Sequence, residues 1–322
     1  MKDLIKWLND ALDSKDLVQN MTYYSITGNM IKATDGRITA AHPWPYKGEF
    51  LVPGKEFEKV LDRMPDTPTI EITDTHVRLR SGRYRGTIQT LPLNAWDYPG
   101  VDASEWRPLP EGLLDALADL RPFVSDNAKH TWSLSIALEN GWSYATNNIA
   151  IACVECPQLG NIEALLPVWA VDFVLKRTEG LVEWAWSDSY VAFRWSNGAW
   201  MRSQLIVGKF PERAASLVRE SQLEIPSQAI SPEFREAFKP LAELAEDTIA
   251  IYNNRIESTF GKAQLVSDID CEVPTDATCS VWGARFLLPV ILTADRWSPS
   301  TWPRPTPFRG KKVSGYVVGR RM

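Results

Sequence analysis

Two four-residue stretches, Ala33-Thr34-Asp35-Gly36 and Ala145-Thr146-Asn147-Asn148, show how the chain is organised, because one repeats the other at a shift of 112 positions (146 − 34). Similar short runs follow them, Ile38-Thr39-Ala40 after the first and Ala150-Ile151-Ala152 after the second. Solenoid proteins repeat about every 20–50 residues. A match at this much longer distance therefore indicates copies of a whole domain.

Two further matches keep nearly the same spacing. Val52-Pro53 and Leu166-Pro167 each precede an apolar helical pattern, 114 positions apart (167 − 53). The segment from Ser203 to Lys209 resembles the segment from Ser314 to Arg320 at a shift of 111 (314 − 203). A chain of 322 residues is long enough for two or three domains. We therefore predict three copies of one domain, at residues 1–104, 105–213 and 214–322, with linkers at Tyr98–Gly112 and Pro211–Gln222.

Composition places the chain among globular proteins, with 44% hydrophobic and 23% charged residues. No run approaches the 18 or so apolar residues of a membrane-spanning helix, and residues 1–13 lack a signal-peptide pattern. We therefore expect a cytoplasmic protein without membrane association. The net charge of −5 argues against a surface that coats nucleic acid as a whole, but it leaves room for a local basic stripe.

Hydrophobic periodicity predicts the order helix, strands, helix, strands in each copy. In the first copy the helices are expected over residues 4–12 and Lys55–Met64, and a hairpin turn is expected at Gly28-Asn29. The proline-rich segment from Ser298 to Gly310 is predicted to be a loop, because proline ends helices and avoids central strands. Each domain is thus predicted to be an α+β unit of two layers.

The residues that carry enzyme chemistry form no recognisable pattern. Cys153 and Cys156 make one C-x-x-C pair without a second, and Cys271 and Cys279 lie far downstream. The three histidines lie beside no nucleophile, and no P-loop, G-x-S-x-G or spaced carboxylate cluster occurs. We therefore predict no enzyme activity, no cofactor and no metal. A metal or redox protein that uses Cys153 and Cys156 is one alternative.

Four segments resemble one family, the bacterial DNA sliding clamps (the β subunit of DNA polymerase III). The run from Arg80 to Arg85, followed by Asp97-Tyr98-Pro99, resembles the end of the family's first domain. Leu205–Pro211 resembles its L-I-x-G-x-F-P, Ala145-Thr146 its A-T-D-G, and Tyr316-Val317-Val318 its terminal Y-V-V. The resemblance spans the chain in order and agrees with the family's three domains. The chain is shorter than a typical cellular clamp, which fits a compact, virus-encoded member.

The resemblance implies a ring. Family members are head-to-tail homodimers whose six domains surround duplex DNA and tether the replicative DNA polymerase, and a clamp loader opens the ring. A head-to-tail contact that closes is self-limiting, and pairing edge strands across the joint removes an aggregation hazard. The expected function is a processivity factor. The alternative is a clamp-derived protein that binds partner peptides without encircling DNA.

Cations four residues apart on the predicted helices form candidate DNA-facing stripes, since such residues share a helical face. They would contact phosphates without reading bases. In the alternative interpretation these faces are solvated, with Glu58 and Asp62 pairing with neighbouring cations. Because the resemblance turns these helices toward the hole, several such ladders together favour DNA. The candidates are Lys2, Lys6, Lys55, Lys59, Arg63, Lys176, Arg177, Arg235 and Lys239.

The resemblance also implies a dimer edge. Arg83 and Arg85 match the edge strand of the family's first domain, where arginines face acidic groups of the third domain. Glu272 and Asp276 are candidate partners. The alternative is a solvated edge strand that its charges protect from aggregation.

The family's partner-peptide pocket lies between the second and third domains. This chain departs from the family's motif at Asn148, Ile149 and Ala150 and in the tail Gly319-Arg320-Arg321, so its ligand can differ from the usual bacterial motif. For single apolar positions, ordinary strand core is the alternative. The matching positions are Thr146, Asn147, Asn148, Ile149, Ala150, Ile151, Pro211, Val317, Val318, Arg320, Arg321 and Met322.

Overall fold

The computed structural model describes residues 1–15, 20–73, 75–93, 100–125, 130–270 and 278–320. The chain forms two compact units. The first comprises residues 1–109 and 172–205, and the second comprises residues 110–171 and 206–322. The second sequence copy thus contributes to both units, and the three domain boundaries stay a prediction.

Residues 1–109 fold into two helices and a series of antiparallel strands. The elements are α1 (Lys2–Asn9), β1 (Tyr23–Thr34), β2 (Ile38–Pro53), α2 (Gly54–Asp62), β3 (Thr69–Ile72), β4 (His76–Ser81), β5 (Tyr84–Gln89), β6 (Leu91–Pro92) and β7 (Arg107–Pro108). Both predicted helices are present. The predicted hairpin turn at Gly28-Asn29 is wrong, because β1 continues through it and pairs with β2 along its length. Gly28 has a φ of 59°, which glycine adopts readily. The register shifts here, because Gly28 pairs with Gly48 and Met30 pairs with Pro43, so β2 carries the extra residues.

Residues 110–223 continue with the second copy. The elements are α3 (Leu113–Leu120), β8 (Ser135–Glu139), β9 (Trp142–Thr146), β10 (Ala150–Glu155), β11 (Glu163–Pro167), α4 (Val168–Leu175), β12 (Leu181–Trp186), β13 (Tyr190–Trp195), β14 (Trp200–Gln204) and α5 (Glu212–Glu220). The predicted inter-domain linker Pro211–Gln222 is helical over most of its length, because it contains α5. Ala215 and Val218 form the buried face of this helix, and charged residues surround them in the sequence. That sparse apolar spacing hid the helix.

The third copy completes the chain. Its elements are β15 (Gln228–Ala229), α6 (Pro232–Leu244), β16 (Thr248–Ile251), β17 (Arg255–Phe260), β18 (Ala263–Asp268), β19 (Ser280–Gly283), α7 (Ala284–Thr293), β20 (Arg296–Trp297), β21 (Pro305–Arg309) and β22 (Val313–Val318). The loop predicted from Ser298 to Gly310 is wrong in part, because β21 is an inner strand between β20 and β22. Ser298 N donates to Pro307 O at 3.1 Å, so the backbone oxygen and nitrogen of Pro307 face β20. The N–H that proline lacks is therefore not needed for the hydrogen bonds between β21 and β22.

The helices of both units bury one face. α1 buries Ile5 and Leu8, as its apolar spacing predicts, and α6 buries Phe234, Phe238 and Leu241. No helix in the described ranges has the length and apolar character that a membrane crossing requires.

Each unit contains one large and one small sheet. In the first unit the strand orders are β1-β2-β14-β13-β12-β7, with β6 paired to β2, and β3-β4-β5. In the second unit they are β11-β8-β9-β10-β22-β21-β20-β15 and β18-β17-β16-β19. The large sheets therefore combine strands from different sequence copies.

One pairing rule recurs in these sheets. Residues Ile38–Ala41 of β2 pair with β14, the last strand of the second copy. The corresponding strand 112 positions later, β10, pairs with β22, the last strand of the third copy. The third copy repeats the order of the second, so that β18 corresponds to β10. The outer edge of β18 has no partner strand among the described residues.

Candidate functional sites

The first of the two repeated stretches forms a hydrogen-bonded turn between β1 and β2. Thr34 Oγ1 donates to Ile38 O (2.7 Å) and accepts from Gly36 N (3.1 Å). One carboxylate oxygen of Asp35 accepts from the amides of Arg37 and Ile38, at 2.8 Å each. This network explains why threonine, aspartate and glycine occur in this order.

The second stretch forms the same turn between β9 and β10. Thr146 Oγ1 donates to Ala150 O (2.8 Å) and accepts from Asn148 N (3.0 Å). The Asn147 side-chain oxygen accepts from the amides of Ile149 (3.1 Å) and Ala150 (2.8 Å). Thr146 and Asn147, two of the predicted pocket residues, therefore use their polar atoms within the turn.

An exposed apolar pair lies at the end of the turn. Val318 N donates to Ile149 O at 3.0 Å, and the two residues are 40% and 36% exposed. The register Ala150–Val317 makes them cross-strand neighbours on the face that Ile151 also occupies. Ile151 packs against the buried cluster beneath α5, whereas Val317 is itself buried. Ile149 and Val318 thus extend this apolar face to the surface.

The Cys153 thiol packs in the buried cluster beneath α5. The rings of Tyr144 and Phe210 stack with their centres 5.4 Å apart. Phe210 directly precedes Pro211 and the start of α5. Cys153 lies in the same cluster, with its sulfur 3.5 Å from Val218 O, and burial raises the pKa of its thiol to about 11. A neutral buried thiol is a packing group. No cluster of three or more metal-ligating side chains occurs in the described part of the chain.

The tail after β22 is held by specific contacts. Arg320 N donates to Val281 O (2.8 Å), and the guanidinium pairs with Asp247. Trp302 donates from its indole nitrogen to the same Val281 carbonyl (3.0 Å) and covers Gly319 so closely that a Cβ there would overlap the ring. Of the predicted pocket residues, Arg321 and Met322 lie outside the described residues.

Two of the predicted DNA-facing cations cap helix ends. Lys2 Nζ donates to the carbonyls of Asp62 (3.1 Å) and Met64 (2.8 Å), at the end of α2. The Arg235 guanidinium donates to the carbonyls of Leu292 (3.1 Å) and Ala294 (2.6 Å), at the end of α7. The last carbonyls of a helix lack intrahelical partners and carry partial negative charge, so both cations stabilise a neighbouring helix.

Lys176 and Arg177 both form ion pairs with one acidic residue, Asp10. Asp10 accepts from Lys176 (3.2 Å) and Arg177 (2.9 Å). Burial raises the pKa of the Asp10 carboxyl, but the hydrogen bonds and charges of the two cations outweigh burial and lower it overall. The Arg177 side chain is only 10% exposed and lies over the Phe173 ring, 3.9 Å from its centre.

The remaining cations lie nearer the surface. Lys6, Lys59 and Arg63 are exposed, on α1 and at α2. Lys55 is also exposed but donates to Ser14 O (2.8 Å), and Lys239 lies 3.9 Å from Glu243 one helical turn later. The structure therefore divides the nine candidates into exposed groups and groups that the fold already uses.

Glu58, which the alternative interpretation of these helices pairs with a cation, has a different partner. One of its carboxylate oxygens accepts from the Asn9 side-chain amide at 2.6 Å. The Asn9 carbonyl oxygen in turn accepts from the buried Tyr24 hydroxyl. Glu58 thus joins α2 to α1 and β1.

The predicted dimer edge lies on β5, the outer strand of its sheet. Arg83 and Arg85 are exposed on either side of Tyr84, which is 57% exposed. Arg85 stands directly opposite Arg80 of β4. Like charges opposite each other destabilise a strand pair, so this edge favours an acidic partner.

The free edge on β18 was not singled out from the sequence. Its Val266 is 49% exposed, and Asp268 and Asp270 are exposed at its end. Phe260, the last residue of the neighbouring strand β17, is 54% exposed. The sequence signal for this edge is the short alternating pattern of β18. Such a pattern does not show that the strand lies at the edge of a sheet unless the neighbouring strands are known. The predicted acidic partners Glu272 and Asp276 lie outside the described residues.

These sheets and their linked copies have the fold of the DNA sliding clamps. The chain is similar to the DNA polymerase sliding clamp of Bacillus subtilis, with a TM-score of 0.78 and 15% identity over 100% of this chain and 97% of that chain. At the same coverage it is similar to the DNA polymerase β subunit of Streptococcus pyogenes (TM-score 0.77, 13% identity) and to the Helicobacter pylori β clamp bound to a DNA ligase peptide (0.74, 16%). No protein-family model matches the sequence, and no curated protein matches it at a significant level. The predicted clamp fold is confirmed.

Proposed function

We propose that the chain is a DNA polymerase processivity factor, a sliding clamp that closes as a head-to-tail homodimer around duplex DNA. The observation that carries this proposal is the pairing rule of the large sheets. β2 takes the last strand of the second copy, and β10 takes the last strand of the third. By the same rule β18 would pair with β5, the last main strand of a first copy. A second protomer that closes head to tail would supply this strand, and only then would the pairing series continue around the ring.

The chemistry of the two free edges supports this joint. Tyr84 on β5 and Val266 on β18 are exposed apolar side chains on strands that have no outer neighbour in the described part of the chain. Arg83 and Arg85 carry positive charge on one edge, and Asp268 carries negative charge on the other. Pairing would bury the apolar groups, bring opposite charges together and satisfy the edge backbone. Glu272 and Asp276 stay candidate partners in the same region of the chain.

Contact with DNA is assigned first to the exposed cations Lys6, Lys55, Lys59, Arg63 and Lys239. Such groups meet phosphates without reading bases, which suits a protein that moves along its template. Lys2, Lys176, Arg177 and Arg235 remain in the proposal as charges that add to the local field. Topological linkage lets each contact stay weak, and tethering raises the effective concentration of the polymerase.

The exposed pair Ile149 and Val318 is the proposed centre of a partner-peptide surface. Together with Ile151 and Pro211 it offers apolar side chains next to polar turn groups, which suits a short hydrophobic peptide. The Helicobacter pylori β clamp binds a DNA ligase peptide. We extend peptide binding to this chain, with the replicative polymerase and a clamp loader as partners.

The same proposal covers the broader properties of the protein. A clamp of this kind is not an enzyme and needs no cofactor. It would act in the cytoplasm as three domains with boundaries near residues 104 and 213, in a compact member of virus-encoded type. Isolation of the gene product from infected cells tests the last point directly.

Retention on circular DNA tests the function. The purified chain is first dissociated at high salt, mixed with a nicked circular plasmid and returned to low salt, so that protomers can close around the DNA without a clamp loader. The mixture is then separated by gel filtration at moderate salt, before and after a restriction enzyme linearises the plasmid. A ring stays on the circle and leaves the linear molecule, because electrostatic contacts hold both forms equally and only topological linkage distinguishes them. Equal loss from both forms would contradict encirclement. If that chain still bound an apolar peptide and an Ile149→Asp variant did not, the non-encircling peptide-binding alternative would be favoured.

A further inference from the structure

The second unit has a corner at the free end of its large sheet. Two strands, β8 and β11, and the segment that leads into α5 surround a cleft of about 390 Å³. None of the partner-peptide positions discussed above lines it. Its lining residues are Ala137, Leu138, Glu139, Glu163, Ala164, Leu165, Gly208, Lys209, Phe210 and Glu212.

Backbone hydrogen bonds show which groups of β11 face outward. Ile162 O accepts from Asn140 N on the side of β8, and Leu165 O accepts from Ile206 N on the outer side, both at 3.2 Å. Successive strand residues alternate between the two sides, so Glu163 and Leu165 both point their backbone outward. Within the described residues, the Leu165 amide and both backbone groups of Glu163 have no hydrogen-bond partner.

The charge around this edge is predominantly negative. Glu139, Glu163 and Glu212 contribute three carboxylates, and Lys209 is the single cation of the lining, 3.6 Å from Glu163. The floor is apolar, because Phe210 lies there with only 6% exposure. An extended chain with basic side chains matches this combination, whereas the phosphates of a nucleic acid would be repelled.

The residue just before the Gly208–Phe210 part of the lining is a further apolar group. Val207 precedes the lining residue Gly208 and is 94% exposed, the largest exposure of any large hydrophobic side chain in the described residues. An exposed apolar group beside an unpaired strand edge is typical of a surface that another chain covers.

We propose that this corner binds a short, extended, lysine- or arginine-containing peptide of a partner protein, which adds as a strand to β11. The exposed Glu163 would supply both contacts, because its amide would donate to a peptide carbonyl and its carbonyl would accept from a peptide amide. Leu165 is only 3% exposed and its outward side is covered by Ile206. Main-chain hydrogen bonds supply affinity in this mode, and side-chain pockets supply specificity. Basic side chains would meet the three carboxylates, and a small apolar side chain would lie over Phe210.

Fluorescence anisotropy with the full chain tests the proposal. The probe is a labelled peptide of alternating lysine and valine, and the control peptide alternates glutamate and valine. Glu163→Gln removes one charge and should weaken lysine-peptide binding about threefold to fivefold. Glu163→Pro also removes the outward amide without breaking a bond to β8, and should weaken binding about fivefold further. Glu155→Gln, an exposed change outside the cleft, is the matched control and should leave binding unchanged.

Hydrogen exchange on the unaltered chain gives an independent result. The lysine peptide should slow exchange of the Glu163 amide. Equal binding of the glutamate peptide would overturn the charge argument, and equal binding by the proline and glutamine variants would overturn strand addition. Protection that appears without peptide and grows with protein concentration would assign the edge to a second copy of the chain, and would overturn the proposed partner.

Discussion

At the residue scale, a cation's spacing along a helix does not reveal its partner. Lys2 and Lys6 are four apart and look equivalent in the sequence, yet Lys2 donates to carbonyls 60 and 62 positions away, whereas Lys6 is exposed. Arg235 and Lys239 differ in the same way, since Arg235 reaches carbonyls at the end of α7. The partner groups belong to a neighbouring helix, so no local pattern contains them.

His42 should make stability depend on pH. Its Nδ1 donates to Pro43 O (2.9 Å), leaving Nε2 to accept from Asn197 (3.4 Å), and its ring packs edge-on against Trp7. Burial lowers the pKa of the imidazole, partly opposed by the Pro43 hydrogen bond. The unfolded chain therefore binds a proton more readily, and we expect the free energy of unfolding to fall as the pH drops below about 6.5.

Urea unfolding across this pH range measures the effect. His42→Gln should flatten the dependence, because the group that binds the extra proton on unfolding is gone. The exposed His130→Gln change is the control and should keep the slope of the unaltered chain. An unchanged slope in the His42→Gln chain would assign the pH dependence to other groups.

At the element scale, each helix end needs partners for its last carbonyls, and α7 obtains them from Arg235. Arg235→Ala should lower the free energy of unfolding by about 1–2 kcal/mol, through lost hydrogen bonds and lost compensation of the helix dipole. Lys239→Ala removes only an exposed ion pair with Glu243 and should cost less than about 0.5 kcal/mol. Chemical denaturation compares the two, and equal losses would show that the cap contributes nothing.

The element errors have a common cause. β21 contains Pro305 and Pro307 and was predicted to be a loop, yet it is an inner strand because its proline nitrogens face away from β22. The register shift next to Gly28 was predicted to be a turn for a similar reason. In both places the local residues permit two structures, and the neighbouring strand selects one.

At the scale of the whole molecule, the proposed joint between β5 and β18 predicts a charge-dependent dimer. Light scattering should give a mass near twice the 36.3 kDa of one chain, decreasing at high salt. Arg85→Glu should weaken association about tenfold, because it sets a carboxylate near Asp268, and adding Asp268→Lys should restore part of it. Arg78→Ala, on the inner strand β4, is the control. A monomer at every concentration would contradict the joint.

The resemblance to a family indicated the clamp fold, and the sequence by itself determined the repeat and most helices. The evidence for these lies in local patterns: the turn residues Thr34 and Thr146, whose hydrogen bonds span only a few positions, and the apolar spacing of α1 and α6. It also placed Ile149 and Val318 in one surface, although only through resemblance to a family. The hydrogen bond between them supports that placement as a neighbouring pair.

Only the tertiary structure decided which strands meet across the copies, which edges remain open, and which cations the fold already uses. β2 pairs with β14 across about 160 positions. Within the residues that the structure describes, β18 has a free edge although its residues resemble those of a paired strand. A strand's own residues specify that it is extended and which face is apolar. Its neighbour is selected by the packing of the whole unit, because the backbone groups that pair are the same in every strand.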